Sequence, residues 1–540
     1  MTRVARAAPA LGALIEFTVY MRTLLPGMAF GDWGEMQTVP HILGIAHPTG
    51  YPTYLILAWL GQLIPIGSVA FRANLLSAAF VSVALALTVT IAIRLGVRPI
   101  VAGAAAISLG AVSTIWSAAT AAEVNALHLL FVALLLHRAL VWEHGRRTRD
   151  LVVGGLLLGL SVGNHLLILS IAPFIVLFVL WVGRRDLVHR GADLARAAIA
   201  VAAGVSVYLY IPIAAGQSPV LAYNHPITLE RVWWLVSGAQ FRSQFDFLTP
   251  TGPAEFVGSL GALWTLLASR GTVALPILGL IGIAILVRRQ PPFGLTLLAI
   301  LIIGAYVWAD YMRLEHYLLV PWLVLAIGAA ATADSAARQL DRLPGVRGLR
   351  VAGRRIAGGG PMVGLAGLVF AVGLAAANWR ASDRSADSGG ERFVSAALSI
   401  LPPNAAFLTS WDASTPLWHA QLVLGLRPDV LVVDDTNIVY DGWGSREARI
   451  ASLICTRPVF LLRLEDKDLT AIRSSYRVVP VAEVEVGNGG PTASLTRPID
   501  RIDLVDERPC EHAGEGTPRA GDSGARAADG LPLGDSVDGP

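Results

Sequence analysis

The sequence predicts a polytopic α-helical membrane protein of about eleven spans, followed by a small extracytoplasmic α/β domain and a disordered tail. Three observations carry this expectation. Apolar runs of about 17 to 22 residues, long enough to cross a bilayer core as helix, recur through roughly the first 380 positions. Every second connection between them is rich in arginine. Past the last run the composition turns polar and acidic. The chain has 540 residues, of which 54% are hydrophobic, and its mean hydropathy of +0.58 excludes an ordinary soluble domain.

Hydropathy places the spans near residues 10–25, 74–93, 100–116, 123–140, 151–164, 166–182, 197–213, 272–287, 293–309, 316–333 and 361–377. The first is interrupted by Glu16 and Arg22 and is followed by no cleavage site, so it reads as a retained span and not as a signal peptide. The fifth is short and can pair with the sixth as one bent unit. Arg94 and Arg98 follow the second span. "HRALVWEHGRRTR" follows the fourth, "GRRDLVHRGADLAR" the sixth, "RRQ" the eighth and "RQLDRLPGVRGLRVAGRR" the tenth. By the positive-inside rule the N-terminus is cytoplasmic and the C-terminus outside. Lys467 is the only lysine, and the Arg, Ala and Gly content suggests a GC-rich bacterial genome and hence an inner (plasma) membrane.

Residues 381–510 carry "AAFLT", "VLVVD", "VFLLRL" and "YRVVPVAEV" between helix-like stretches, the pattern of a small α/β domain. Both cysteines, Cys455 and Cys510, fall there, and an extracytoplasmic location permits a disulfide between them. Residues 511–540 are too polar and Gly/Pro-rich to bury a core and are expected to be disordered. The net charge of +3 hides an asymmetry, with arginines in cytoplasmic loops and acids outside. The bilayer is the expected partner, and nucleic acid is not.

On this topology the unusual polar residues converge on the outer face. "GDWGEMQTVPHILGIAHPTGYP" supplies Asp32, Glu35, His41, His47 and Tyr51 outside the first two spans. Glu123 and Asn125 open the fourth span, and Asn164 and His165 occupy the turn between the fifth and sixth. "YNHPITLERVWWLVSGAQFRSQF" brings Arg231 and Arg242, and "DYMRLEHY" brings Arg313, Glu315 and His316. Ionisable groups at membrane depth are costly and usually functional. Plainer roles stay open: Glu123 as a helix N-terminal charge, His165 beside Asn164 satisfying a turn, Arg313 with Glu315 as an ion pair, "HPTGYP" as a turn alone. Asp32 and Glu35 are three apart, which on a helix puts both on one face, where either can serve as a base. The sequence assigns no cofactor. A divalent cation on the two acids and two histidines of this loop is the alternative, although their spacing matches no standard ligand motif.

"DWGEMQTVPHILGIAHPTGYPTYLIL" resembles the first-loop signature of the membrane-protein family that includes the animal transmembrane protein O-mannosyltransferase. The resemblance continues through "AAEVNALHLLFVALLL", "GLSVGNHLLILSIAPF", "PVLAYNHPITLERVWWLVSGAQFRSQF", "YVWADYMRLEHYLLVPWLVLAIG" and "LTSWDASTPLWHAQLVLGLRPDV". It implies a GT-C type glycosyltransferase that takes a sugar, mannose first, from a polyprenyl-phosphate donor to a hydroxyl acceptor (an exported protein's Ser/Thr or an envelope glycan) outside the cytoplasm, with inversion. By the same resemblance Asp32 is the leading candidate base and Glu35 the second. Arg72, Arg231, Arg242 and Arg313, with His47 and His165, are the cations available to a lipid phosphate; Tyr51, Glu123, Asn164 and His316 complete the expected donor site. Three positions depart from the pattern: Trp33 replaces a small residue, Asn125 a tyrosine, and Ala214 an arginine. A membrane transporter or lipid flippase is the alternative function, and a non-catalytic envelope scaffold a third. The transporter reading calls for internal repeats and mid-span charges, and neither is evident.

Overall fold

The computed structural model describes residues 3–244, 253–269, 272–310, 315–343, 350–351, 354–355, 358–438, 442–463, 469–487 and 495–505. Arg313, Cys510 and the 511–540 tail lie outside the described residues, as does the side chain of Arg242.

Every expected span falls in helix. The order is α1 (Arg3–Arg22), α2 (Gly31–Thr38), α3 (Pro52–Gln62), α4 (Val69–Arg94), α5 (Pro99–Gly110), α6 (Ser113–Thr120), α7 (Val124–Gly145), α8 (Thr148–Val162) and α9 (Ile168–Leu187). There follow α10 (Gly191–Val205), α11 (Tyr210–Ala215), α12 (Leu229–Val236), α13 (Pro253–Leu267), α14 (Ala274–Arg289), α15 (Pro291–Asp310), α16 (Leu319–Leu340) and α17 (Gly359–Ser382). Among the described residues seven helices are long and apolar enough to cross a membrane, or eight if α5 and α6, bent by 71°, form one broken span. The expectation of about eleven is thus met only in part. α8 and α14 have 15 and 16 residues, short of the roughly 20 that a bilayer core requires, and α1 carries Glu16 inside its apolar stretch.

The bundle core joins α4, α7, α9, α14, α15 and α16 through Leu85, Leu136, Phe178, Leu286, Phe293 and Leu323. Arginine pairs cluster where the basic connections were expected: Arg98 and Arg338 with Asp334, Arg138 with Asp150, and Arg190 with Asp193. α4 separates this end from the first loop by 26 residues, about 39 Å of helix.

After α17 the chain forms α18 (Gly389–Ile400), β3 (Ala406–Thr409), α19 (Trp411–Leu422), β4 (Leu431–Asp434), α20 (Arg446–Leu453), β5 (Val459–Leu462), α21 (Thr470–Arg473), β6 (Tyr476–Val486) and β7 (Leu495–Leu504). Between α16 and α17 lie two short antiparallel strands, β1 (Arg350–Val351) and β2 (Arg354–Arg355). The sheet of this domain, termed the outer domain for its place outside the helix bundle, has the order β4-β3-β5-β7-β6. β3 lies parallel to β4 and β5, with Phe407 opposite Val432 and Phe460. β7 is antiparallel to both β5 and β6. An α/β domain is therefore present. β7 was not anticipated, because "LTRPIDRIDL" alternates polar and apolar residues and reads weakly. Its buried positions are Ile499, Asp500 and Ile502. Cys455 is disulfide-bonded.

The outer domain is seated on the first loop. Met28 and Phe30 belong to its hydrophobic core, together with Phe393, Leu398, Phe407 and Leu417. The Phe30 and Phe393 rings lie 5.3 Å apart, and Glu391 accepts the Met28 N–H at 2.7 Å.

Candidate active site

The first loop is not a passive connection. It folds into α2, a tight turn and α3, three short segments that a span-length hydropathy window passes over. Gly34 lets α2 approach the outer domain, since a Cβ there would stand 2.2 Å from Ala29 O and 2.6 Å from Thr415 Oγ1. Thr38 Oγ1 donates to Gly34 O at 2.8 Å, so its oxygen must accept from His419 Nδ1 at 3.1 Å. That assigns the Nδ1–H tautomer, and burial holds His419 neutral by pushing it down to about 4. A parallel bridge of Ile45 to Ala222 ties the far end of the loop to the segment before α12.

Asp32 and Glu35 sit one turn apart on α2 in opposite environments. Asp32 is exposed, and its Oδ1 accepts from Trp411 Nε1 at 3.3 Å. Glu35 is 2% exposed. Its Oε1 accepts the His47 N–H at 2.9 Å, and its Oε2 pairs with His47 Nδ1. On the other side of the ring, Tyr51 Oη donates to Pro48 O at 3.0 Å. The phenol proton is thereby committed, so the oxygen must accept from His47 Nε2 at 3.0 Å. Burial raises the Glu35 carboxyl and the neighbouring His47 works against that rise; with Glu35 ionised, both ring nitrogens carry protons and His47 is an imidazolium. Burial opposes that charge, but the carboxylates of Glu35, Asp32 and Glu123 outweigh it and lift His47 to about 9. "HPTGYP" reverses the chain with Gly50 at φ +80° and Tyr51 at φ +43°. The turn thus presents His47 as well as punctuating the loop.

Trp33 has a defined role. Its Nε1 donates to Glu123 Oε2 at 3.0 Å, and the Arg384 guanidinium stacks 4.5 Å over its ring. Glu123 Oε1 in turn accepts the Asn125 backbone N–H at 3.0 Å and Nδ2 at 2.9 Å. Glu123 is therefore the N-cap of α7, the plain reading of its position, and also the anchor of two residues that depart from the family pattern.

A cavity of about 1020 Å³ opens between the helices and the outer domain. Asp32, His47, Tyr51, Asn125, His165 and His316 line it from the membrane side, with Tyr223, Gln240, Trp411 and Thr436. Residues read from distant parts of the sequence thus meet in one chamber. Others do not line it. Glu123 and Asn164 stand behind the wall, where Asn164 Nδ2 donates to Val124 O at 3.2 Å. Arg72 donates to Ile64 O at 2.9 Å and Arg231 to Asn224 O at 3.5 Å. His165 accepts the Leu167 N–H at 3.2 Å, as its turn position suggested, and burial, with His128, His316 and His47 nearby, holds it well below the usual histidine range. Among the described residues no three His, Cys, Asp or Glu side chains converge as a metal site.

Trp411, Tyr223 and Thr436 were not anticipated. They come from the outer domain and the 220–228 segment, and only the tertiary fold brings them to Asp32. The one available signal was "LTSWDASTPLW", an aromatic directly after a buried strand and at the start of a helix.

Comparison with known proteins agrees with the motif resemblance. Residues 32–188 match the family model of the Protein O-mannosyl-transferase TMEM260 N-terminal domain. Protein O-mannosyl-transferase TMEM260 of Mus musculus is 35% identical over 208 residues, 36% of this chain and 28% of that protein. The Dictyostelium discoideum protein of the same description is 26% identical over 212 residues, 36% of this chain and 26% of the other. The matched region thus spans under a third of either relative. ArnT from Cupriavidus metallidurans in the apo state superposes over 91% of this chain and 97% of its own, with a TM-score of 0.55 at 13% identity. The same protein bound to undecaprenyl phosphate gives 0.54 at 14% over the same shares. At such identity the likeness is one of fold, the GT-C type.

Proposed function

We propose that this chain, which carries a TMEM260-type O-mannosyl-transferase domain within a GT-C fold, is an inverting membrane glycosyltransferase. It moves a sugar, mannose first, from a polyprenyl phosphate to a hydroxyl of an exported protein or envelope glycan. The observation that carries this reading is the unequal environment of the two carboxylates. Glu35 is neutralised by an imidazolium, whereas Asp32 stands exposed on the wall of a chamber between bilayer and outer domain.

In this chemistry the Asp32 carboxylate takes the proton from the acceptor O–H as that oxygen bonds to the sugar's anomeric carbon. The C–O bond to the lipid phosphate breaks, and the phosphate leaves with the electron pair. A positioned base of this kind is worth about 10²–10⁴-fold, acting on an oxocarbenium-like centre. The leaving phosphate needs positive charge and N–H donors; the His47 imidazolium on the cavity wall supplies charge alone, because Glu35 and Tyr51 engage both of its ring N–H groups. The ArnT complex with undecaprenyl phosphate supports a lipid-phosphate donor by analogy of fold. The reading includes all eleven helical segments as membrane-embedded, the arginine-rich end cytoplasmic, and the chamber outside a bacterial inner membrane.

The test is to incubate membranes with labelled polyprenyl phosphate mannose and follow the label into protein, glycan and lipid fractions, with and without EDTA. Transfer that is lost in Asp32→Asn supports the proposal. Lipid movement across vesicles without transfer of label would replace it with the flippase reading.

A further inference from the structure

We propose that Trp411 is a positioning residue for Asp32, so that the outer α/β domain completes the transfer site. This rests on Asp32 being the base. Trp411 is the first residue of α19, at the carboxyl end of β3. β3 lies between β4 and β5 in the sheet, and the carboxyl ends of parallel strands are where α/β domains present functional groups. Here that edge faces the membrane chamber, because Trp411 and Thr436, the latter just past β4, both line it.

The indole has a single donor and no acceptor. Its N–H meets Asp32 Oδ1 at 3.3 Å, which leaves Oδ2 to receive the acceptor's proton. The ring is held by edge contacts, with centroids 5.6 Å from His47, 5.8 Å from Tyr223 and 5.6 Å from Trp418. His47 is bound to Glu35, and Trp418 lies on α19 itself, so the indole links the two halves of the chain at the reacting carboxylate. The domain's seating on Met28, Phe30 and Gly34 fixes the height of Trp411 above α2. Asp32 is exposed, and an exposed carboxylate without such a contact samples several rotamers. Misplacement of a reacting group by about 1 Å can cost on the order of 10²-fold.

The experiment measures donor and acceptor kinetics on the full-length protein in detergent for wild type, Trp411→Phe, Trp411→His, Asp32→Asn and the Phe/Asn double variant. Trp411→Phe keeps the ring and loses the N–H. It is expected to lower kcat by about 10- to 100-fold with donor KM within about twofold. Trp411→His, which retains a ring N–H, recovers part of that loss. In the Asp32→Asn background Trp411→Phe adds nothing, because both changes act through one carboxylate. Unchanged kcat in Trp411→Phe, equal losses in the Phe and His variants, or an undiminished loss in the Asp32→Asn background would each overturn the proposal. A wild-type protein that transfers no sugar from any polyprenyl phosphate overturns the transferase reading instead.

Discussion

The indole N–H of Trp33 donates to Glu123 across ninety residues of sequence, at 3.0 Å. The same carboxylate caps α7 and grips Asn125. One carboxylate thus fixes the entry angle of a membrane helix and the rotamer of a cavity-lining amide. Trp33→Phe removes the donor but keeps an aromatic face under Arg384. The expected cost is about 1.5–3 kcal/mol, the worth of a hydrogen bond to a charged group, read as a lower Tm in detergent. Glu123→Ala should cost more, because it strands the Trp33 and Asn125 donors together.

Asp32 and Glu35 should separate cleanly by substitution. Asp32→Asn removes an exposed base and is expected to lower kcat by about 10²–10⁴-fold with Tm nearly unchanged. Glu35→Gln leaves the half-buried His47 without its nearest counter-charge, so it should lower Tm as well as kcat. Parallel thermal unfolding and transfer assays distinguish the two. Equal Tm losses would contradict the division of roles drawn from their burial.

His47 also makes stability depend on pH in a stated direction. Its folded value, about 9, lies above the roughly 6.5 of a free histidine. Its contribution is therefore fully present below about 6.5 and is lost as pH rises through about 9. Thermal unfolding of the full chain should show Tm declining from neutral pH towards pH 9.5, and the slope should flatten in His47→Gln. A wild-type Tm that stays level across this window would refute the imidazolium assignment.

What could be read from the sequence follows the physics of the solvent. A bilayer forces long apolar runs on any spanning helix, so the helices were visible, and arginine asymmetry marked their ends. Polar residues outside that pattern, Asp32 and His47 among them, stood out because the membrane leaves few reasons to keep them. Which residues gather at one end of the bundle was legible, but the direction of each side chain was not. Arg72 and Arg231 stand in the first turns of α4 and α12, yet they turn to loop carbonyls. Trp33 looked anomalous because its partner, Glu123, is ninety positions away. Trp411 sits in a segment whose pattern is that of any strand–helix junction, and only docking of the outer domain gives it a target. The span count divided where α8 and α14 are too short to cross on their own, a property of packing that hydropathy averages away.

The seam between α2 and the outer domain gives the last prediction. An alanine at position 34 would press its Cβ against Ala29 O, a backbone atom, at 2.2 Å, and against Thr415 Oγ1 at 2.6 Å. Thr415 is fully buried, and its hydroxyl bonds Asp412 O at 3.1 Å, so neither neighbour can yield cheaply. Gly34→Ala should therefore cost about 1–3 kcal/mol by overpacking and lower transfer further, because α2 carries Asp32. Gly154, within α8, is the counter-case, since nothing lies within 4 Å of a Cβ there. Gly154→Ala should be neutral or stabilising by up to about 1 kcal/mol through helix propensity. Thermal unfolding and label transfer on both variants decide the matter. If Gly34→Ala behaves like Gly154→Ala, the close seating of α2 on α19 is not what holds Asp32 beneath Trp411.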